Sequence, residues 1–278
     1  NSCSQIESEV AVLDIIAMPE ILLSPASQKI CQGTAVTFTV QAESTEPVSY
    51  QWFKDGIEIP GATQDVYTIS LASLNDTGSY WVQAANNCSQ IISEPAYLEV
   101  VALPRILLPP ASQKVCSGAA VTFAVQAEST EPLSYQWFKD GVEIPGATAE
   151  TYTIQKAAPG DKGRYSAKVR NSCGQTESEA ANLDIIALPE ILVQPKDLKV
   201  CEGSTAKFQV TANSSLPLTY QWIKGSRTIR GANSEELTIS DASPEDMGEY
   251  AVAISNCCGF VNSNTISLIV ERPPGNVD

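Results

Sequence analysis

Histidine is missing altogether from the 278 residues of this chain. Its absence removes the commonest general base and the commonest metal ligand, and with them the usual activated Ser or Cys nucleophile. No catalytic activity, cofactor or metal ion is expected. Basic residues are scarce as well, with 17 Lys+Arg against 32 Asp+Glu for a formal net charge of -15. A surface of that sign repels phosphate backbones and anionic membranes, so nucleic acid is not an expected partner. No apolar run approaches the roughly 20 residues that cross a bilayer as a helix, so membrane insertion is not expected. A secretory leader is also lacking, and the sequence reads as a mature or excised piece. No Gly-rich phosphate loop follows a strand, no C-x-x-C zinc spacing occurs, and the carboxylates fall into no calcium-loop pattern. Helical periodicity is nowhere sustained.

What the chain does contain is a repeat. Tyr50-Gln51-Trp52-Phe53-Lys54-Asp55-Gly56 returns as Tyr135 to Gly141 and, more loosely, as Tyr220 to Gly225. Pro19, Pro104 and Pro189 open three segments at a period of 85 residues, and a fixed period of this kind marks an array of similar units. The predicted domains are 19–103, 104–188 and 189–271, with 272–278 beginning a following linker or domain. Residues 1–20 match 171–190 at all but five positions. Residues 1–18 are therefore expected to be the last strand of a preceding domain. The junction at Val100-Val101-Ala102-Leu103 is apolar and has no Gly/Ser run, which predicts a stiff connection.

Each copy has a short aromatic strand with Trp52, Trp137 or Trp222 alone on one face, a natural core plug. About thirty residues later comes Asp-x-Gly-x-Tyr, ending in Tyr80, Tyr165 and Tyr250. A strand Trp followed by this motif resembles the immunoglobulin fold, the Tyr standing as its tyrosine corner. The resemblance covers essentially the whole chain. It implies an all-β architecture of three tandem immunoglobulin-like β-sandwiches, similar to the intermediate set, plus the N-terminal remnant strand. The three Trp and three Tyr are the expected core.

The cysteines depart from that family. Immunoglobulin domains of the antibody type bridge strand B to strand F, the second Cys lying two residues after the corner Tyr. Those positions hold Val40 and Val82, Val125 and Ala167, and Val210 and Val252. The eight cysteines instead include Cys31, Cys116 and Cys201, each two residues before the Gly of the A–B turn, and Cys88, Cys173 and Cys258 in the F–G turn. Such usage in an all-β chain suits an oxidising compartment, and hence an extracellular or cell-surface location. Three pairings are open: within a domain, between domains, or none. The resemblance favours the second, because in tandem immunoglobulin domains the F–G end of one abuts the A–B end of the one before. It implies Cys31 with Cys173 and Cys116 with Cys258, leaving Cys3, Cys88 and Cys201 to pair outward. Cys257 is extra and either stays free or cross-links chains. Its place beside Cys258 is a weak metal signal, since a disulfide partner explains it more simply.

On the predicted strand F, Trp81 points away from the core and lies beside Phe53 of strand C, a candidate contact patch; cover by neighbouring residues is the plain alternative. Asn75, Asn87 and Asn213 open N-glycosylation triplets that matter only in a secretory eukaryote. C-x-G, YQW-x-KDG, I-x-GAT and N-x-C together are similar to repeats of large secreted surface proteins of Bacteroidota-type bacteria, and imply adhesins, stalks or extracellular fibres. The expected function is a structural or adhesive rod or fibre segment of disulfide-stapled repeats, its partners further immunoglobulin-like domains of the same chain or assembly. The alternatives are a recognition module for a protein or glycan ligand, and a spacer of a secreted polysaccharide-degrading enzyme.

Overall fold

A computed structural model describes residues 7–11 and 15–272. Residues 7–11 and 15–19 carry no assigned strand; 1–6 (with Cys3), 12–14 and 273–278 lie outside the described residues. The first module then runs through ten strands: β1 (Glu20–Leu23), β2 (Gln28–Cys31), β3 (Val36–Thr39), β4 (Gln41–Glu43), β5 (Ser49–Lys54), β6 (Ile57–Glu58), β7 (Val66–Ile69), β8 (Gly78–Ala85), β9 (Gln90–Ile92) and β10 (Ala96–Val101). One layer pairs β1 with β4 and β3 with β7, both antiparallel. The other has the order β2-β10-β8-β5-β6, with β9 also on β8. Within it β2 runs parallel to β10, which sets Cys31 opposite Val101.

Alternation explains why these segments become strands facing one another. Val36 and Phe38 of β3 are buried while Thr37 and Thr39 face solvent. On β8, Tyr80, Val82 and Ala84 all turn inward and are at most 1 % exposed. Trp52 enters from β5 with no exposed surface, and its indole Nε1 donates to the Gln64 carbonyl at 2.8 Å. Phe38 stacks on Tyr80 with ring centroids 4.8 Å apart. The Tyr80 hydroxyl donates to the Asp76 carbonyl at 2.8 Å, which closes the corner before β8. With that bond the only buried polar group of a large apolar side chain is satisfied, so burial of the ring is not offset by a lost hydrogen bond.

The same parts recur twice. Trp137 and Trp222 donate to Ala149 and Ser234, and Tyr165 and Tyr250 to Asp161 and Asp246, at 2.7 to 3.0 Å. All four rings are buried. Burial, with the Asp246 carboxylate a smaller second cause, pushes the Tyr250 phenol up to about 12. In place of the core bridge, Val40, Val82, Val125, Ala167, Val210 and Val252 fill the interior with at most 5 % exposure.

By compactness the chain divides into two units that do not follow the repeat. One comprises Asn1–Leu107, Ala127–Ser134 and Val169–Thr176; the other comprises Leu108–Gln126, Tyr135–Lys168 and Glu177–Asp278. The first thus holds the first module with three short segments of the second, 104–107, 127–134 and 169–176. The other holds the rest of the second module, in which Gln113–Cys116 runs parallel to Ala181–Ile186, and the third, in which Leu198–Cys201 runs parallel to Ile266–Glu271.

Candidate functional site: the module junctions

In the first unit, β10 runs straight into Ala102-Leu103-Pro104, and Gln32 N–H donates to the Val101 carbonyl at 2.8 Å. The end of β2 is therefore tied to the point where the chain leaves the module. Cys31 sits there, and Cys173 lies in the turn that follows Gly163–Asn171. The two are disulfide-bonded, with Cα atoms 5.4 Å apart and a sequence separation of 142. In the second unit Cys116, opposite Ile186, is bonded to Cys258 with the same 5.4 Å and the same separation of 142. Both bonds join the early strand of one module to the F–G turn of the next. Cys88, Cys201 and Cys257 are free and exposed.

The turn that carries the second sulfur is held by an asparagine. Asn171 is 6 % exposed, and its Nδ2 donates to the Ala102 carbonyl at 2.7 Å and to Ser129 Oγ at 3.0 Å. Its Oδ1 accepts the Cys173 N–H at 2.9 Å. One side chain thus pins the incoming linker, a neighbouring loop and the cysteine backbone together. Asn256 repeats the arrangement on Ala187, Ser214 and Cys258, and Asn86 on Ala17, Ser44 and Cys88. The recurrence of Asn two residues before each F–G cysteine was the available signal. Its meaning was hidden because an N-x-C turn reads equally as ordinary turn chemistry.

Linker packing explains a glycine after two of these cysteines. At Gly174, φ is +147°, and a Cβ there would stand 2.7 Å from Leu103 Cδ2. Gly259 is alike, at 2.8 Å from Leu188. A side chain at either position would push the linker leucine off the turn. The first module has Ser89 there, and Asn86 N–H donates to the Ser89 carbonyl at 3.0 Å.

Charge adds little. Lys29 lies between Glu99, at 3.2 Å, and Glu131. Hydrogen bonds to Glu131 and then Glu99 raise its pKa, but the lysine is exposed and such a pair contributes little in water. The residue one repeat after Glu131 is Leu216, so the pair belongs to the first junction alone.

On the outer face of the first module, Phe53 and Trp81 are register partners across β5 and β8. Their rings stack with centroids 4.0 Å apart and planes 6° apart, and both are half-buried. In the second module Lys168 Nζ covers Phe138 at 4.4 Å from the ring centroid, and in the third Ile223 faces Ala251. Cys257 places its sulfur, with those of Cys116 and Cys258, in one cluster within 4.8 Å. Since Cys116 and Cys258 are bonded to each other, neither is a thiolate, and the cluster offers a metal ion only one. No helix among the described residues is long and apolar enough to cross a membrane.

Comparison with known proteins agrees with the sandwich fold. The immunoglobulin domain profile matches residues 18–86 and 189–256, and the immunoglobulin I-set domain profile matches 104–185. Among curated relatives, the muscle M-line assembly protein unc-89 of Caenorhabditis elegans is 29% identical over 98% of this chain and 4% of its own length. The human peroxidasin homolog is 25% identical over 87% of this chain, and the mouse Roundabout homolog 1 is 24% identical over 96%, each across 18% of its own length. The chain thus spans under a fifth of these animal relatives. Among solved structures, a three-domain titin fragment, I67–I69, superposes with a TM-score of 0.70 at 22% identity, covering 92% of this chain and all of that one. The eight N-terminal immunoglobulin domains of Down Syndrome Cell Adhesion Molecule give 0.55 at 20% identity, over 92% of this chain and 37% of theirs. With sandwich, tyrosine corner and profile all in agreement, the chain belongs to the immunoglobulin family and consists of three of its domains in tandem.

Proposed function

We propose that the chain is a segment of an extracellular structural or adhesive array, with domains at 19–103, 104–188 and 189–271, in which a disulfide locks each junction. The observation that carries this is the recurrence of one bond under one rule: Cys31 with Cys173 and Cys116 with Cys258, each spanning 142 residues. Domain interfaces inside a chain are ordinarily small enough to permit swinging. A covalent bond at the exit of one module and the entry turn of the next removes that freedom, and the asparagine clamp removes what remains. Bonds of this type persist in oxidising surroundings, which supports a location outside the cell. Assembly in muscle for one relative and cell adhesion for one structural neighbour, as their names state, support a mechanical or adhesive role. The relatives named above are animal proteins, so a bacterial origin draws no support from them. Under the same rule Cys88 and Cys201 are the outward sulfurs, each available to a further module. Small-angle scattering before and after mild reduction tests the proposal. A narrow distribution of maximum dimension that broadens on reduction, while the β-sheet circular dichroism stays constant, is expected. An unchanged distribution contradicts it.

A second reading is favoured by the Phe53–Trp81 stack, for which the second module has Phe138 under Lys168 and the third Ile223 beside Ala251. On this reading the first module also recognises a protein partner through that face.

A further inference from the structure

The second junction holds one sulfur more than a staple requires. Cys257 carries a free, exposed thiol whose Sγ lies 3.8 Å from Cys258 Sγ. The three sulfurs of Cys116, Cys257 and Cys258 are all within 4.8 Å of one another. At the first junction the corresponding residue is Ser172, whose hydroxyl donates to Cys173 Sγ at 3.9 Å. An alcohol there is inert toward the disulfide. A thiol is not, because thiolate attack on a neighbouring disulfide is the ordinary route of exchange.

We propose that Cys257 is an internal exchange nucleophile, so that Cys116 is shared between Cys257 and Cys258 and the second junction interconverts between two cross-links. The inference rests on the stapled-junction reading above and adds chemistry to one of its two bonds. Cys257 gives its proton to solvent, and its thiolate attacks Cys116 Sγ. The Cys116–Cys257 bond forms as the Cys116–Cys258 bond breaks, and the electron pair leaves on Cys258 Sγ, which takes up a proton. One disulfide and one thiol stand on each side, so neither oxidant nor reductant is consumed. Attack on Cys258 Sγ itself is disfavoured despite its proximity. Consecutive Cα atoms are about 3.8 Å apart across a trans peptide, and disulfides ordinarily need about 4.4 Å or more. Exchange therefore shifts the cross-link by one residue along the turn without opening the junction. A thiol beside a disulfide is on display in both states.

The full chain, incubated without reductant at mildly alkaline pH, quenched with acid and blocked with a maleimide, is digested and fragmented between residues 257 and 258 by mass spectrometry. Exchange predicts both Cys116–Cys258 and Cys116–Cys257, the minor species on the order of a tenth or more of the total because the two bonds are chemically alike. The first junction yields a single linkage. In Cys258→Ser, folded with oxidised glutathione as the oxidant, the Cys116–Cys257 bond forms, and in Cys257→Ser the split disappears. Finding Cys116–Cys258 alone, together with an unlinked Cys116 in Cys258→Ser, overturns the inference and leaves the staple intact. A Cys116 linked to neither neighbour overturns the inference and the stapled-junction reading together.

Discussion

Removing one sulfur of the first junction should weaken two modules at once. Consider Cys173→Ser. In the intact protein, if the first module alone unfolds, the second still holds Cys173 beside the linker, where Asn171 bonds Ala102 and Gly174 meets Leu103. The unfolded segment from Cys31 to Leu103 is then a closed loop of about 70 residues, and the chain-entropy relation assigns such a loop about 4 kcal/mol at most. If the second module alone unfolds, the segment from Leu103 to Cys173 is again about 70 residues, with a similar figure. Breaking the bond releases both loops. For domains of this size about 1 kcal/mol moves the midpoint by roughly 4–8 °C, so shifts of order ten degrees or more are expected in both transitions. The third module is spared, since its bond to Cys116 remains. Cys31→Ser must give the same pattern, because it removes the same bond from the other side. Differential scanning calorimetry of both variants under non-reducing conditions provides the assay. A variant in which only the module carrying the substitution shifts would refute the reasoning, as that is the signature of a bridge inside one domain.

Three further outcomes follow from single side chains. Asn171→Ala strands the Ala102 carbonyl and the Cys173 N–H inside the first unit and should cost about 1–3 kcal/mol in denaturant unfolding, with Asn171→Asp no better, because a carboxylate accepts from Cys173 but donates nothing to Ala102. Asp246 is held below the usual carboxylate range by hydrogen bonds from the Ser243 backbone and hydroxyl. Its folded value being the lower one, its contribution is complete above the unfolded value of about 3.9 and is lost as pH falls through the folded value. Acid titration of Asp246→Asn should therefore show a shallower loss of stability below about pH 4 than the parent chain. Trp81→Ala removes a half-buried ring stacked on Phe53 and should cost about 1–2 kcal/mol with the fold intact, whereas Trp52→Ala, which empties the centre of the sandwich, should cost about 3–5 kcal/mol. Comparable losses for the two would mean that Trp81 is part of the core.

The fold was legible because its signals are local. A lone Trp on a strand and Asp-x-Gly-x-Tyr thirty residues later need no tertiary knowledge, and repetition at a period of 85 removes chance. Val40 and Val82 also announced the missing core bridge, since their places are fixed by offset from the corner tyrosine. The junctions were less legible. Sequence spacing left three cysteine pairings open, and only coordinates bring particular sulfurs to one place. The asparagine clamp escaped notice because its partners, Ala102 and Ser129, are 69 and 42 residues away and contribute a carbonyl and a hydroxyl that carry no sequence signature. Gly174 escaped for a related reason: the space it leaves is filled by Leu103, a contact that exists only once the linker folds back on the turn. Phe53 and Trp81 sit between these cases. Strand alternation sets the face each occupies, but the 4.0 Å stack depends on the register of β5 against β8.

The account depends on sulfur bonding across module boundaries, and non-reducing peptide mapping of the cysteine at the end of β2 addresses that directly. A peptide containing Cys31 joined to one containing Cys173 is the predicted result. Recovery of Cys31 joined to Cys88 of its own module would contradict it.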